Sequence, residues 1–486
     1  MPKTKTELAR QIGLVTATAV VVGSMIGSGI FKKPALMAAQ LGSTRLLMLV
    51  WVLAGFLTLF GALTNAEIGG IFPATGGQYF FFNKIYGKFF AFIFGWAIFS
   101  VVQTGSIGSI AYIFGESAGR LIDLPKFSPA TEVAWVIHLP FIGNIFPLAD
   151  IGTKLMAIAL MGFLTFINVL GLLLGAGVQN TLTFLKLVAI GIIILFAVFA
   201  PMGTIHHFSE TLISAPQGSF AIFAAFIGAM SGAFWAYDGW NNVTFIAGEI
   251  KDPQKNLPRA LFLGTAIVIA VYVLINLAYI FVLPIQDLVH SKLVASDMAK
   301  LSMGQVGEKL VIIAILLSTF GSCNGSLMTS ARVYFAMARE NMFFPSIGVV
   351  SAKHKTPANS LILQFFWSSL LVLSGTFDML TDMLIFVTWI FYGMGALGVF
   401  ILRRRMPDIE RPYKVWGYPY VPIIFIISAA IFLIQTLYND ITHYINGTSP
   451  LINSVFGLVL VLAGTPLYFY FKSKGGCGTS EGGYTS

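Results

Sequence analysis

Charge is scarce in this sequence: Asp, Glu, Lys and Arg together make up only 10% of it. A soluble domain carries about 25% charged residues, so the soluble globular class is excluded. Cysteine is nearly missing. Cys323 lies in an apolar run and Cys477 in a glycine-rich tail, environments too different for a disulfide framework. Histidine occurs six times, at His138, His206, His207, His290, His354 and His443, and each falls in an expected loop. There is no H-E-x-x-H motif and no Walker-type glycine loop, which argues against a metal-dependent enzyme and against ATP-driven transport by this chain alone. The chain is therefore read as a non-enzyme with no cofactor and no metal.

What fills the sequence is apolar. Hydrophobic residues account for 57% of 486, and mean hydropathy is +0.83. A membrane-crossing helix needs about 20 mainly apolar residues. Twelve stretches qualify: 12–38, 46–71, 88–114, 153–172, 178–200, 220–247, 259–283, 309–337, 358–376, 381–402, 419–438 and 451–471, numbered below as spans 1 to 12. The expected class is an all-α polytopic membrane protein with about 12 transmembrane helices. The first run follows Lys3, Lys5 and Arg10 and ends in Lys-Lys-Pro without a small-residue cleavage site, so it reads as a retained helix and not a signal peptide.

The net charge of +9 is scattered over short loops, which fits membrane topology better than nucleic-acid binding. A cytoplasmic N-terminus puts most Lys and Arg residues inside, above all Arg403, Arg404, Arg405, Arg411 and Lys414. The even span count then makes both termini cytoplasmic, in a multi-pass protein of the plasma (inner) membrane. The expected divisions are an N-terminus over 1–11, five helices over 12–200, five more over 220–402, a cytoplasmic loop with two helices over 403–471, and a disordered low-complexity tail over 472–486.

Two loops are more than connectors. Residues 73–79 are turn-rich and suggest an element at the cytoplasmic surface. Between spans 7 and 8, Ile285, Leu288, Val289, Leu293 and Met298 recur near helical spacing, as in an amphipathic outer helix that acts either as a lid or as a plain surface helix.

Within span 1, Gly23-Ser24-Met25-Ile26-Gly27-Ser28-Gly29-Ile30-Phe31 sets three glycines and two serines in nine residues. Glycine costs a helix about 1 kcal/mol relative to alanine. Span 6 has a counterpart in Gly228 to Gly239, which ends Phe234-Trp235-Ala236-Tyr237-Asp238-Gly239. Backbone freed at membrane depth is tolerated only where protein or a wet cavity satisfies it. Paired interruptions in corresponding positions of two halves point to a transporter's binding site, and an odd repeat makes the five-span halves inverted.

If span 1 unwinds near Ile26-Gly27, the N–H groups of Ser28, Gly29 and Ile30 form a positive pole suited to a carboxylate. The carbonyls near Met25, and near Phe234, Trp235 and Ala236, form a negative pole suited to an ammonium group. Together the poles describe an α-amino acid. Trp235 either covers such a substrate as a gate or is packing. Lys186 is the only basic residue read as lying well inside a span. It either ties span 5 to spans 1 and 8, through Ser322 or Ser326, or snorkels to the surface. Asp238 either caps freed N–H groups or faces a substrate side chain. Glu67, at the inner end of span 2, reads as structural.

These motifs resemble the amino acid–polyamine–organocation superfamily, and within it the L-type amino acid transporter family, in its prokaryotic form. The similarity runs through Gly27-Ser28-Gly29-Ile30-Phe31, Trp235 to Asn241, Gly248-Glu249-Ile250-Lys251-Asp252-Pro253, Phe320 to Leu327 and Arg403 to Pro407, and covers almost the whole chain. It implies an inverted five-plus-five, leucine-transporter-like fold with broken helices 1 and 6 and two extra helices. It also implies substrate contact by the span 1 motif, Trp235, Ala236 and Asp238, with Asn241 near the pocket and Lys186 in the place of a coupling sodium ion. Residues 115–152 contain no cysteine, so no disulfide-linked heavy chain is expected. Asp238 stands where some members have glycine, which bears on substrate range.

The expected function is sodium-independent secondary transport of L-amino acids, as an exchanger of neutral amino acids with a broad range, by alternating access. The alternatives are a proton-coupled amino acid permease, a polyamine or organic-cation permease, and an amino-acid-binding sensor or channel.

Overall fold

Each of the twelve apolar stretches forms helix in the computed structural model, which describes residues 10–351 and 353–475. Backbone in hydrocarbon must satisfy its own hydrogen bonds, and the helix does so within one segment. Among the described residues, ten helices are long and apolar enough to cross a membrane, or eleven when the bent pair Leu14–Met25 and Gly29–Leu41 counts as one. Span 9 is the short helix Ala358–Ser374. The described strands are a small hairpin, Ile137–Leu139 against Gly143–Ile145, in the loop between spans 3 and 4. The protein is thus an all-α, multi-pass membrane protein.

Large apolar side chains cover the outside of the bundle. Leu49, Phe56, Phe163, Phe166, Phe184 and Ile434 are all exposed, as lipid-facing residues are. The interior holds the polar groups. The first half of span 1 packs against spans 5, 7 and 8, while its second half packs chiefly against span 6 and more lightly against spans 2 and 8. The main neighbours of span 1 therefore change at its break.

One end of the bundle is tied by buried charge. Arg403 holds Glu67 with two bonds of 2.9 and 2.7 Å, and the Val415 N–H donates to the same carboxylate at 2.7 Å. Arg332 pairs with Glu249 at 3.2 Å, both almost fully buried. The Glu249 carbonyl accepts the N–H groups of Gln11 and Ile12, which ties the start of span 1 to the segment after span 6.

Several expectations change. Lys186 is not alone in the interior, since Lys33 and Lys154 are equally buried. Lys33 escapes a sequence reading because its partner Asp378, at 2.9 Å, comes from span 10. The element between spans 7 and 8 is not one helix. It is a turn at Ile285–Leu288 followed by a helix that begins at Val294 and is kinked at Gly304. Its residues Ile285, Leu288, Leu293 and Met298 are buried against the bundle. The last helix runs to Gly475, past the expected start of the tail, and residues 476–486 lie outside the described residues.

Candidate substrate site between two interrupted helices

Span 1 leaves helical geometry after Met25, with Ile26 at φ −73° and ψ 94°, and resumes at Gly29, the two halves bent by 41°. Span 6 is helical from Ser219 to Tyr237 and turns extended at Asp238. The two interruptions touch. A β-carbon on Gly29 would lie 2.5 Å from Ala236 Cα, and one on Gly239 would lie 2.9 Å from the Ser24 carbonyl oxygen. Gly239 also has φ +100°, a conformation that side chains disfavour. Close approach, and not only helix breaking, requires glycine at both places.

A void of about 10 Å³ lies between them, lined by Ser24, Gly27, Ser28, Trp235 and Asp238, with Ser106 and Ile110 from span 3 and Ser326 from span 8. That is about the space of one water. Ser24 Oγ, Ser28 Oγ and Trp235 Nε1 are buried without a hydrogen-bond partner. Buried polar atoms are nearly always paired, with protein or with water, and these three belong to residues around a crevice with room for about one water.

The carbonyl pole has an occupant. The Tyr272 hydroxyl, from span 7, donates towards the Met25 carbonyl at 2.7 Å and the Ala236 carbonyl at 2.9 Å. One proton serves one of these bonds at a time. The Trp235 carbonyl accepts the Asp238 N–H at 3.2 Å. An incoming ammonium group would thus meet carbonyls that already have donors.

Behind the crevice, Lys186 Nζ donates to the carbonyls of Gly23 and Ile26, both at 2.9 Å, and to Ser322 Oγ at 2.7 Å. Ser322 Oγ itself lies 2.7 Å from the Ile26 carbonyl. Spans 1, 5 and 8 therefore meet on one ammonium group. Ser326 is not part of that cluster and lines the crevice instead.

The remaining expected site residues spread out. Asp238 Oδ1 accepts the Tyr392 hydroxyl at 2.8 Å. The Phe234 ring turns to spans 10 and 11, 3.7 Å from the Trp389 ring centroid. Trp235 packs edge-on against Phe377. Ile30 is fully buried in the core. Asn241 Oδ1 accepts Asn65 Nδ2 at 3.2 Å and borders a separate small void with Gln78 and Gln103. The neighbouring Asn242 lines both that void and the crevice.

Comparison with known proteins decides the family. A model described as amino acid permease matches residues 12–462. The chain belongs to that family. Among its relatives, the serine/threonine exchanger SteT of Bacillus subtilis is 32% identical, over 96% of this chain and 98% of the relative. The mouse b(0,+)-type amino acid transporter 1 is 30% identical, over 96% of this chain and 88% of the relative. The human large neutral amino acids transporter small subunit 2 is 31% identical, over 97% and 82%.

In this permease, sequence reasoning overlooked Tyr272, Ser106, Ile110, Asn242 and Tyr392. Only the two tyrosines carried a signal: each is a phenol inside an apolar run, and a buried tyrosine hydroxyl needs a partner.

Proposed function

We propose that the chain exchanges L-amino acids across the plasma membrane by alternating access, without sodium, with both termini cytoplasmic and no disulfide-linked heavy chain. The observation that carries this reading is the Lys186 ammonium seated on the Gly23 and Ile26 carbonyls. Its nitrogen takes, on those two carbonyls, the place that a coupling cation would occupy. A carrier whose cation never leaves gains no uphill drive from it, and exchange of one amino acid for another is the natural cycle.

In this reading the substrate carboxylate binds the span 1 N–H groups from Ser28 to Ile30. Its ammonium displaces Tyr272 from the Met25 and Ala236 carbonyls, and Trp235 covers it. The four serines around the crevice, Ser24, Ser28, Ser106 and Ser326, support neutral substrates with small polar side chains. Asp238, engaged by Tyr392, serves the break and not a cationic side chain.

Proteoliposomes loaded with unlabelled serine should take up labelled serine equally in sodium and in choline medium. Uptake that needs a sodium gradient, and that proceeds into empty vesicles, would overturn the exchange reading.

A further inference from the structure

Arg403, Arg404, Arg405, Arg411 and Lys414 crowd the end of span 10 and the loop before span 11, and the fold uses them unequally. Arg403 is bound to Glu67. Arg411 folds back on the end of span 10 and donates to the carbonyls of Met406, Pro407 and Ile409 at 2.7, 2.9 and 2.9 Å. Arg405 gives one N–H to the Ile85 carbonyl at 3.0 Å, which sets it beside Lys84 on the short helix Gln78–Tyr86. Arg404, Arg405, Lys414 and Lys84 are exposed, and none of them joins an ion pair among the described residues. The acids of the loop, Asp408 and Glu410, are exposed as well. Two carboxylates against four unpaired cations leave this end positive.

An excess of Lys and Arg at one membrane face follows from topology alone, but it does not account for what lies beside them. Along span 11, Tyr420, Ile424, Ile427, Ile431 and Ile434 recur every three or four residues and so share one helix face. All five are exposed. Trp416, 74% exposed, stands just before that stripe. On span 10, the exposed Leu397 lies two helical turns before Arg404, so the arginine continues a face that meets lipid. Phe400, between them, packs on Tyr418 with ring centroids 5.2 Å apart, which brings the end of span 10 against the start of span 11. Beneath this seam Ile85, Val399, Leu402, Val415 and Val421 form one buried cluster, and it fixes the short helix, span 10 and the loop to one another.

We propose that the seam between the ends of spans 10 and 11 is a binding site for an anionic phospholipid. Arg404 and Lys414 hold the phosphate, Trp416 and Tyr420 lie at headgroup level, and the acyl chains run along Leu397, Ile424 and Ile427. A soluble anion would use only the basic half of this surface and a neutral lipid only the apolar half. A ligand that matches both is amphiphilic and negative, the combination that basic clusters next to a membrane helix recognise. The site is remote from the crevice and does not depend on the exchange reading.

The test uses Trp416 as its own reporter in the full-length protein, reconstituted in phosphatidylcholine nanodiscs. Phosphatidylglycerol with brominated acyl chains, a fluorescence quencher, replaces the phosphatidylcholine stepwise, and brominated phosphatidylcholine is the neutral control. Subtracting the signal of Trp416→Phe isolates the one indole. Saturable quenching by the anionic lipid, at a lower mole fraction than by the neutral one, is the expected result. Each basic residue near a membrane surface is worth about fivefold in affinity for anionic lipid. The double variant Arg404→Gln with Lys414→Gln should therefore raise the half-saturating mole fraction about tenfold or more, while Lys292→Gln, in the loop between spans 7 and 8, should leave it unchanged. Both altered residues are exposed and unpaired, so the melting temperature in phosphatidylcholine should not move. Equal quenching by the two lipids, or an unchanged half-saturation in the double variant, overturns the proposal. Protection of Trp416 by millimolar glycerol phosphate would also overturn it, since the site would then serve a free phosphate and not a lipid.

Discussion

Replacing Lys186 by methionine is the sharpest test of how the first interruption is held. Methionine keeps most of the lysine stem, so the packing cost stays below about 1.5 kcal/mol, and what disappears is the ammonium group. Three bonds go with it, to Gly23, Ile26 and Ser322. The Ser322 hydroxyl has a single proton and already lies 2.7 Å from the Ile26 carbonyl and 3.1 Å from that of Gly23. It satisfies one carbonyl and leaves the other poorly held, since the remaining donor, Ser318 Oγ, reaches the Ile26 carbonyl only at 3.4 Å. An unsatisfied buried acceptor costs about 1–3 kcal/mol. If the closed crevice needs both carbonyls held, that cost is added to the barrier between outward and inward states. Each 1.36 kcal/mol is about tenfold in rate, so exchange should fall roughly 10- to 100-fold.

The assay is initial exchange of labelled serine in serine-loaded proteoliposomes, normalised to monodisperse protein, with Lys186→Met and Ser322→Ala measured side by side. Ser322→Ala should be milder, because Lys186 still reaches both carbonyls. Exchange by Lys186→Met within twofold of the unmodified protein would refute the idea that the ammonium group holds the interruption.

Gly29→Ala puts a methyl 2.5 Å from the Ala236 backbone, so the two interruptions must separate. Overpacking of this kind costs about 1–3 kcal/mol, and exchange should be nearly abolished while size-exclusion behaviour is kept. Tyr272→Phe removes the hydroxyl shared by the Met25 and Ala236 carbonyls. It should raise exposure of a cysteine reporter placed at Ser28, measured by maleimide labelling, and slow exchange about tenfold or more. For Asp238, the ratio of arginine to serine uptake should be the same before and after Asp238→Asn; a changed ratio would assign the acid to the substrate. Glu249→Gln uncouples the buried Arg332, and breaking such a pair costs about 3–5 kcal/mol, so the melting temperature should drop.

How far the sequence alone reaches depends on whether a feature is local. The interruption at Ile26 and the end of span 6 at Asp238 were legible because glycine, serine and an acid in an apolar run violate helix preference where they stand. Lys186 was legible for the same reason, as a charge with no local explanation. Partners were not. Nothing around Tyr272 in the chain names Met25 or Ala236, and nothing near Lys33 names Asp378, which follows it 345 residues later. The place of Asn242 was hidden for the same reason. A one-turn helix after a break has no phase inherited from the helix before it, so periodicity cannot say which of two adjacent asparagines faces the crevice.

The glycines show where the two levels meet. As composition, Gly29 and Gly239 say only that helix is weakened. In three dimensions each is the place where one broken segment lies against the other, and the space denied to a side chain is what brings Gly29 onto the Ala236 backbone and Gly239 onto the Ser24 carbonyl. A helix could be broken by proline or by a polar residue with less sequence cost, but neither would let two backbones come this close. If the interruptions served only as hinges, alanine at Gly29 would slow exchange without altering which amino acids compete for it. Because they also form the walls of the crevice, Gly29→Ala should change the competition profile of whatever exchange survives, with the bulkier side chains excluded first.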